Sequence, residues 1–114
     1  EIQRRADDRI PAFLKLPVRH KGILCEPLLE KLVLDAYLKT GEIAQVLCGG
    51  EQGADARVCD FAWVLELMNQ CVNCGVAFRF LRTGTFFRKG NRIYRIAEEE
   101  QEEQARRAGV DYTP

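Results

Sequence analysis

The sequence predicts an α/β domain with three parallel strands, followed by a short β-hairpin and a C-terminal helix. Short apolar segments alternate with segments whose apolar residues have helical spacing, which is typical of βα units. Glycine or proline follows most of these segments and marks their ends. Near the C-terminus, Gly90-Asn91 separates two short β-prone segments, which indicates a hairpin turn.

The three predicted parallel strands are short. The first covers residues 22–25 and is expected to be buried, and Pro27 ends it because proline has no N–H to donate to a ladder. The second strand covers residues 43–48 and the third covers residues 76–80. A polar link at 17–21, with His20 as a surface histidine, leads into the first strand.

Helices are predicted between and after these strands. Residues 28–40 have apolar residues at helical spacing. A second helix begins after the N-cap Asp60 and ends at Gly75, which favours the left-handed conformation. A Glu-rich helix covers residues 97–108.

The N-terminal segment contains a proline that complicates its assignment. Residues 3–16 place charged side chains on one side and apolar ones on the other. Pro11 is expected to interrupt a helix there, because proline removes a backbone hydrogen bond and clashes with the preceding turn. The helix is therefore predicted to end near Arg9 or to restart at Pro11.

Composition limits the classes of function. The 114 residues fit one domain, and the formal net charge of zero provides no global field that would attract nucleic acid or an anionic membrane. No apolar run approaches the roughly 20 residues that cross a bilayer. Five cysteines, an odd number, favour reduced thiols over a disulfide framework, so a cytoplasmic protein is expected.

Two carboxylates follow predicted parallel strands. Glu26 comes directly after the first strand, and Glu51 follows Gly49-Gly50 at the end of the second. In parallel sheets, ligands bind outside the carboxyl ends of the strands. Glu26 and Glu51 are predicted either to face each other as an acid–base pair or to hold the amino group of a ligand. The alternative is that each accepts hydrogen bonds from its loop and holds the loop's shape.

The cysteines raise the question of a metal site. Cys71-Val72-Asn73-Cys74 has a spacing found in metal and redox sites, and Cys25 and Cys48 end neighbouring strands. A single C-x-x-C without a second pair is a weak zinc signal, and Cys71 continues the apolar stripe of its helix. Burial is therefore favoured, and no metal site is predicted.

A basic segment at 79–96 contains no acidic residue and interleaves cations with aromatic residues. Such a segment could bind nucleic acid by pairing with phosphates and stacking on bases. The favoured alternative is that the following glutamates, within residues 98–103, neutralise the hairpin within the fold or between subunits.

Several segments resemble the C-terminal half of the phage gp thirty-seven / gp sixty-eight family, whose uncharacterised phage and bacterial proteins look like radical SAM enzymes. The resemblance is carried by residues 1–11, 25–29, 49–51, 56–57, 63–64, 70–71, 78–84 and 104–112. The sequence departs from the family pattern at Gln52, where serine is usual, and at Leu81, where lysine is usual.

The resemblance implies a half TIM barrel. The single domain 1–114 would be the C-terminal part of a larger barrel, and its first residue is interpreted as a cut. An iron–sulfur cluster and S-adenosylmethionine are expected of the full-length protein, whereas this chain alone is not expected to be catalytic. Its expected partner is the missing N-terminal half of the barrel or a second copy of the chain.

The resemblance also places Gly49-Gly50 after the seventh barrel strand and Thr83-Gly84 after the eighth. Loops after these two strands often bind phosphate in TIM barrels. Gly49, Gly50 and Thr83 are thus predicted to bind an anion or a cofactor carboxylate, with Arg57 or Arg82 as counter-charge. The alternative is a tight turn that needs glycine only for its backbone angles.

A different class of function is open as well. Three strands cannot close a barrel, and an open sheet leaves edges that pair with another chain. The chain is then a small homodimeric α/β binding or assembly module, which contacts its partner through the open edge or the basic hairpin.

Overall fold

The computed structural model describes residues 2–15 and 21–114. His20 and most of the predicted link at 17–21 lie outside the described residues. No helix in these two ranges has both the length and the apolar character to span a membrane. The elements, in chain order, are α1 (Gln3–Leu14), β1 (Lys21–Cys25), α2 (Asp35–Leu38), β2 (Ile43–Gly49), β3 (Cys59–Asp60), α3 (Phe61–Cys74), β4 (Ala77–Arg82), β5 (Phe86–Lys89), β6 (Arg92–Arg95) and α4 (Glu98–Arg107).

The strands form two sheets, and the predicted fold class is confirmed. The first sheet has the order β1-β2-β4 and is parallel throughout, with Leu24 opposite Leu47 and Leu47 opposite Arg79. The second sheet has the order β3-β5-β6 and contains the predicted hairpin. Its strand β3 was not predicted. The strands of the described residues do not close into a barrel.

Helix α3 has the ends that its sequence predicts. The side chain of Asp60 accepts a hydrogen bond from the backbone N–H of Ala62 at 2.9 Å, and Gly75 ends the helix with φ of 67°. These local signals satisfy backbone groups that the helix itself leaves unpaired. The helix therefore begins and ends where the capping residues stand.

The predicted helix over residues 28–40 is wrong for most of its length, because only Asp35–Leu38 is helical. The preceding residues are held instead by Gln70 of α3. Its Oε1 accepts a hydrogen bond from the Leu34 N–H at 2.7 Å, and its Nε2 donates to the Leu32 carbonyl, also at 2.7 Å. Buried leucines fix this irregular segment in the core: Leu28, Leu32 and Leu34.

Helix α1 runs through Pro11, so the predicted interruption is also wrong. A proline inside a helix costs about 3 kcal/mol. Ala6 and Ile10, before the proline, are buried, and Phe13, after it, packs against the same core. The continuous apolar side of the helix offsets the lost hydrogen bond.

The first sheet is covered on one face only. The face that packs against the core carries Cys25, Val46, Cys48, Phe78 and Phe80. The opposite face, hereafter the open face, carries Gly22, Leu24, Gln45, Leu47, Ala77, Arg79 and Leu81. None of these open-face residues is buried, and Leu24 is 53% exposed, so the prediction of a fully buried first strand is wrong. Parallel sheets in proteins normally have both faces covered.

The two edges of the first sheet differ. At the outer edge of β4, Phe78 and Tyr112 exchange two backbone hydrogen bonds of 2.9 Å, and the Phe80 N–H donates to Asp111 Oδ1 at 2.8 Å. The chain's own C-terminal residues thus occupy this edge. Strand β1 pairs with β2 on one side and with no strand of the described residues on the other. Of the two edges of this sheet, the β1 edge is the one that no described strand occupies.

Candidate functional site

The candidate site lies where the three parallel strands end. The Leu28 N–H donates to the Gly49 carbonyl at 2.9 Å, and the Gly50 N–H donates to the Arg82 carbonyl at 3.0 Å. These bonds tie the end of β2 to the segments that follow β1 and end β4. The structure therefore brings together the predicted residues Glu26, Gly49, Gly50, Arg82 and Thr83.

The two glycines are required for close approach and not for their backbone angles. Neither Gly49 nor Gly50 has a positive φ. A Cβ on Gly49 would lie 2.6 Å from Glu26 Oε2, and a Cβ on Gly50 would lie 2.3 Å from the Thr83 carbonyl oxygen. Glycine at these positions lets the carboxylate and the β4 loop lie directly against the end of β2.

Glu26 and Arg82 form a loose ion pair at the centre of the site. Arg82 Nε and Glu26 Oε2 are 3.6 Å apart, and the side chains are 30% and 27% exposed. The Nε atom is buried and has no hydrogen-bond partner among the described residues. A buried donor without an acceptor is costly, but Nε is closed to solvent, so a ligand would contact the exposed part of the Arg82 side chain.

Glu51 pairs with Arg57 of its own loop. Arg57 Nη2 lies 2.7 Å from Oε2, and Arg57 Nε and the Arg57 backbone N–H donate to Oε1 at 3.1 and 2.9 Å. These bonds lower the pKa of Glu51 to about 2 and raise that of Arg57. Glu51 is therefore ionised at neutral pH, which makes it a poor general acid, and it holds the loop in shape. The alternative role predicted for this carboxylate describes it better than an acid–base pair with Glu26.

Two backbone N–H groups of the site already donate hydrogen bonds to carbonyls of the chain. The Gly50 N–H donates to the Arg82 carbonyl, and the Thr83 N–H donates to the Gln101 carbonyl at 3.3 Å. Thr83 is 1% exposed, and its hydroxyl donates to the Gly84 carbonyl at 2.9 Å. The counter-charge predicted for an anion at this edge is therefore Arg82, because Arg57 is engaged by Glu51.

Gln101 and Thr85 support the site and were not predicted. Gln101 is 1% exposed, and its Nε2 donates to the Ile96 carbonyl at 3.1 Å and to Thr85 Oγ1 at 3.5 Å. The Thr85 N–H donates to the Glu51 carbonyl at 2.9 Å. The sequence contains a signal for the burial of Gln101. Gln101 and Ala105 are uncharged residues one turn apart in a helix rich in glutamate, which indicates the side of the helix that faces the core.

The core cysteines are buried side by side. Cys25 and Cys48 are opposite each other in the β1–β2 ladder. Burial raises the pKa of Cys48 well above its ordinary value, and burial raises the pKa of Cys71 to about 12. These thiols are therefore protonated at neutral pH and behave as small apolar groups of the core. Within residues 2–15 and 21–114, no group of three or more potential ligands is placed to hold a metal ion.

The chain was compared with known proteins. The model of one protein family, described as Protein of unknown function (DUF5131), matches residues 1–112. No curated protein matches the chain. No solved structure matches it either. The family description assigns no activity, so function has to be argued from the geometry of this chain.

Proposed function

Because the chain belongs to the DUF5131 family, a family of unknown function, we propose a role from its geometry and its resemblance to the phage gp thirty-seven / gp sixty-eight family. The chain is the C-terminal portion of a radical SAM-like barrel. It contributes part of the barrel's ligand-binding edge and is not catalytic alone.

The open face is the observation that carries this proposal. In a TIM barrel, helices cover one face of every strand, and the other face points into the barrel, where branched aliphatic residues dominate. The first sheet has helices on one face only, and its open face carries Leu24, Leu47 and Leu81. A barrel interior accounts for a parallel-sheet face that carries three leucines, with Gln45 and Arg79 among them, and none of whose residues is buried.

The position of the candidate site supports the same role. TIM-barrel ligands bind at the carboxyl ends of the strands, which is where Glu26 and Arg82 lie. A carboxylate accepts hydrogen bonds from an ammonium group, and a guanidinium donates two parallel hydrogen bonds to a carboxylate. A ligand with both groups complements both side chains, which are 27% and 30% exposed. S-adenosylmethionine has both groups on its amino-acid end.

An iron–sulfur cluster does not fit the described residues. They contain no cluster of three or more ligand side chains placed for a metal, and the pKa values of Cys48, Cys59 and Cys71 are raised by burial. The proposal therefore assigns binding and orientation of a ligand to this chain. Cluster ligands have to come from residues outside the described ranges.

The test is S-adenosylmethionine binding to the full-length protein, measured by anaerobic titration calorimetry. Glu26→Gln and Arg82→Gln each remove one charged hydrogen-bonding group and are expected to weaken binding about tenfold or more. Glu99→Gln and Arg5→Gln are matched controls on exposed side chains of α4 and α1, and each should change the affinity less than about twofold.

Two results would contradict this proposal. One is the absence of S-adenosylmethionine binding to the full-length protein after anaerobic reconstitution with iron and sulfide. The other is binding that Glu26→Gln and Arg82→Gln leave unchanged, which would move the ligand away from this edge.

A homodimeric binding module is the second candidate, because a second copy of the chain could also cover the open face through the unpaired β1 edge. Light scattering of the full-length protein across micromolar concentrations separates the two functions. A monomer throughout favours the barrel, whereas a concentration-dependent dimer that binds no S-adenosylmethionine favours the module.

A further inference from the structure

The β5–β6 hairpin has cations without acidic partners. Of the basic segment 79–96, Arg79 donates to the Tyr112 carbonyl and to Thr113 Oγ1, and Arg82 belongs to the strand-end site. The four cations of the hairpin itself form no ion pair with any described residue: Arg88, Lys89, Arg92 and Arg95.

Among the described residues, the acidic helix α4 forms no ion pair with this hairpin. Its Glu103 forms ion pairs with Arg106 and Arg107, which lie on the same helix. The neutralisation predicted within the fold is therefore not made by direct ion pairs of the described residues, and neutralisation between subunits stays a prediction. The positive charge of the hairpin remains available to a binding partner.

A groove with aromatic walls lies beside these cations. It has a volume of about 400 Å³. The residues that line it include Phe61, Phe87, Lys89, Tyr94, Arg95 and Glu100. Lys89 Nζ lies 5.6 Å from the centre of the Phe61 ring, and the Arg92 guanidinium lies 5.4 Å from that of Tyr94. Tyr94 is 41% exposed. We call this region the hairpin groove.

The need to protect a sheet edge from pairing with other chains explains only some of the hairpin's cations. Cations on an exposed edge strand prevent it from pairing with other chains, and β6 is such an edge. Strand β5 lies between β3 and β6, and Arg88 pairs with Asp60 on the β3 side and with Ile93 on the β6 side, so Arg88 protects no edge. Edge protection also gives no role to the exposed ring of Tyr94.

We propose that the hairpin groove binds single-stranded nucleic acid. Lys89 and Arg92 are opposite each other in the ladder and share a face with Tyr94. On that face the cations pair with phosphates while the tyrosine ring stacks on a base, as in other single-strand binding surfaces. Glu100 opposes the phosphates from the α4 side of the groove. The site is independent of the ligand edge at the end of the first sheet.

The test is fluorescence anisotropy of a labelled oligothymidylate of about 20 nucleotides with the full-length protein. Two neutralised phosphates, one at Lys89 and one at Arg92, predict a loss of affinity of about sevenfold between about 50 and 200 mM salt. Lys89→Ala/Arg92→Ala should weaken binding about tenfold or more at the lower salt. Arg4→Ala/Arg5→Ala removes the same charge from exposed positions of α1 and should change binding less than about twofold.

Further variants separate this site from general electrostatic attraction. Tyr94→Ala removes no charge and should weaken binding at least about fivefold. Glu100→Gln should strengthen binding. The side chains at 89, 92 and 94 are exposed, so circular dichroism should show each variant folded as the native protein is.

Three results would overturn the proposal. The first is the absence of salt-sensitive binding at about 50 mM salt. The second is an equal loss of affinity in the α1 control. The third is binding of a polyglutamate peptide as tight as that of the oligonucleotide, which would assign the groove to an acidic protein partner.

Discussion

The two sheets of this protein expose apolar side chains to the same extent in different surroundings. Leu24 on the open face of the first sheet is 53% exposed, and Ile93 on the hairpin of the second sheet is 52% exposed. Leu24 lies opposite Leu47 in a parallel sheet, whereas Ile93 lies opposite Arg88 in an antiparallel pair and is followed by Tyr94 and Arg95.

The comparison teaches that exposure alone does not identify a protein interface. Antiparallel sheets commonly keep one face in water, and cations on an edge strand are suited to that position. Parallel sheets rarely leave an apolar face in water. We therefore expect another layer to cover the open face of the first sheet, and we expect the hairpin to stay in contact with solvent.

The largest expected effect comes from placing a charge at these two positions in the full-length protein. Leu24→Glu should lower the free energy of unfolding by about 3 kcal/mol or more, because it buries an unpaired carboxylate in the covering interface. Ile93→Glu should change it by less than about 0.5 kcal/mol. Urea denaturation measures both, and equally small effects would contradict the difference between the sheets.

The glycines of the two sheets should also differ. Gly50→Ala puts a Cβ within 2.3 Å of the Thr83 carbonyl oxygen, a backbone atom, and should cost about 3 kcal/mol. At Gly90, in the hairpin turn, a Cβ meets nothing within 4 Å, and only the φ of +62° opposes alanine. Gly90→Ala should cost about 1 kcal/mol. Thermal unfolding of both variants measures which substitution destabilises the protein more. A larger loss of stability for Gly90→Ala would contradict the close packing at the strand ends.

The irregular segment before α2 is held in place by one buried side chain of α3, that of Gln70. Gln70→Leu leaves the Leu34 N–H and the Leu32 carbonyl without partners and should cost about 2 kcal/mol. Gln104→Leu, on an exposed position of α4 beside the hairpin groove, should change stability by less than about 0.5 kcal/mol. Equal effects in chemical denaturation would show that the irregular segment does not need Gln70.

The smallest effect is a pH dependence at the end of the first sheet. The pKa of Glu51 is lowered from 4.5 to about 2, so its pairing with Arg57 stabilises the fold above pH 4.5 and loses this contribution as the pH falls toward 2. The stability difference between the native protein and Arg57→Ala should therefore shrink between about pH 6 and pH 3. For Arg95→Ala on the hairpin, this stability difference should not depend on pH. A stability difference for Arg57→Ala that stays constant with pH would contradict the pairing.

Features set by neighbouring residues could be predicted from the sequence. Asp60 and Gly75 mark the ends of α3, and Gly90-Asn91 marks the hairpin turn. The grouping of Glu26, Gly49, Gly50, Arg82 and Thr83 could be predicted as well. It follows from the rule that parallel strands end at one edge of a sheet.

Features set by distant residues could not be predicted. The hydrogen bonds of Gln70 replace the helix expected over residues 28–40, and β3 exists because Cys59 lies beside Phe87. The pairing of Arg57 with Glu51 depends on how the loop folds back. In each case two residues that are not neighbours in the sequence come into contact. The apolar spacing and turn residues around one of them do not predict its contact with the other.

The central claim is that another layer covers the open face in the working protein. Cysteine accessibility tests it directly: Leu24→Cys and Ile93→Cys are each introduced into the full-length protein with Cys74→Ser, which removes the partly exposed native thiol, and the native state is labelled with maleimide. The equal exposure of the two positions makes them matched probes. We predict that the thiol at 93 reacts at least about tenfold faster than the thiol at 24. Equal rates would contradict the account.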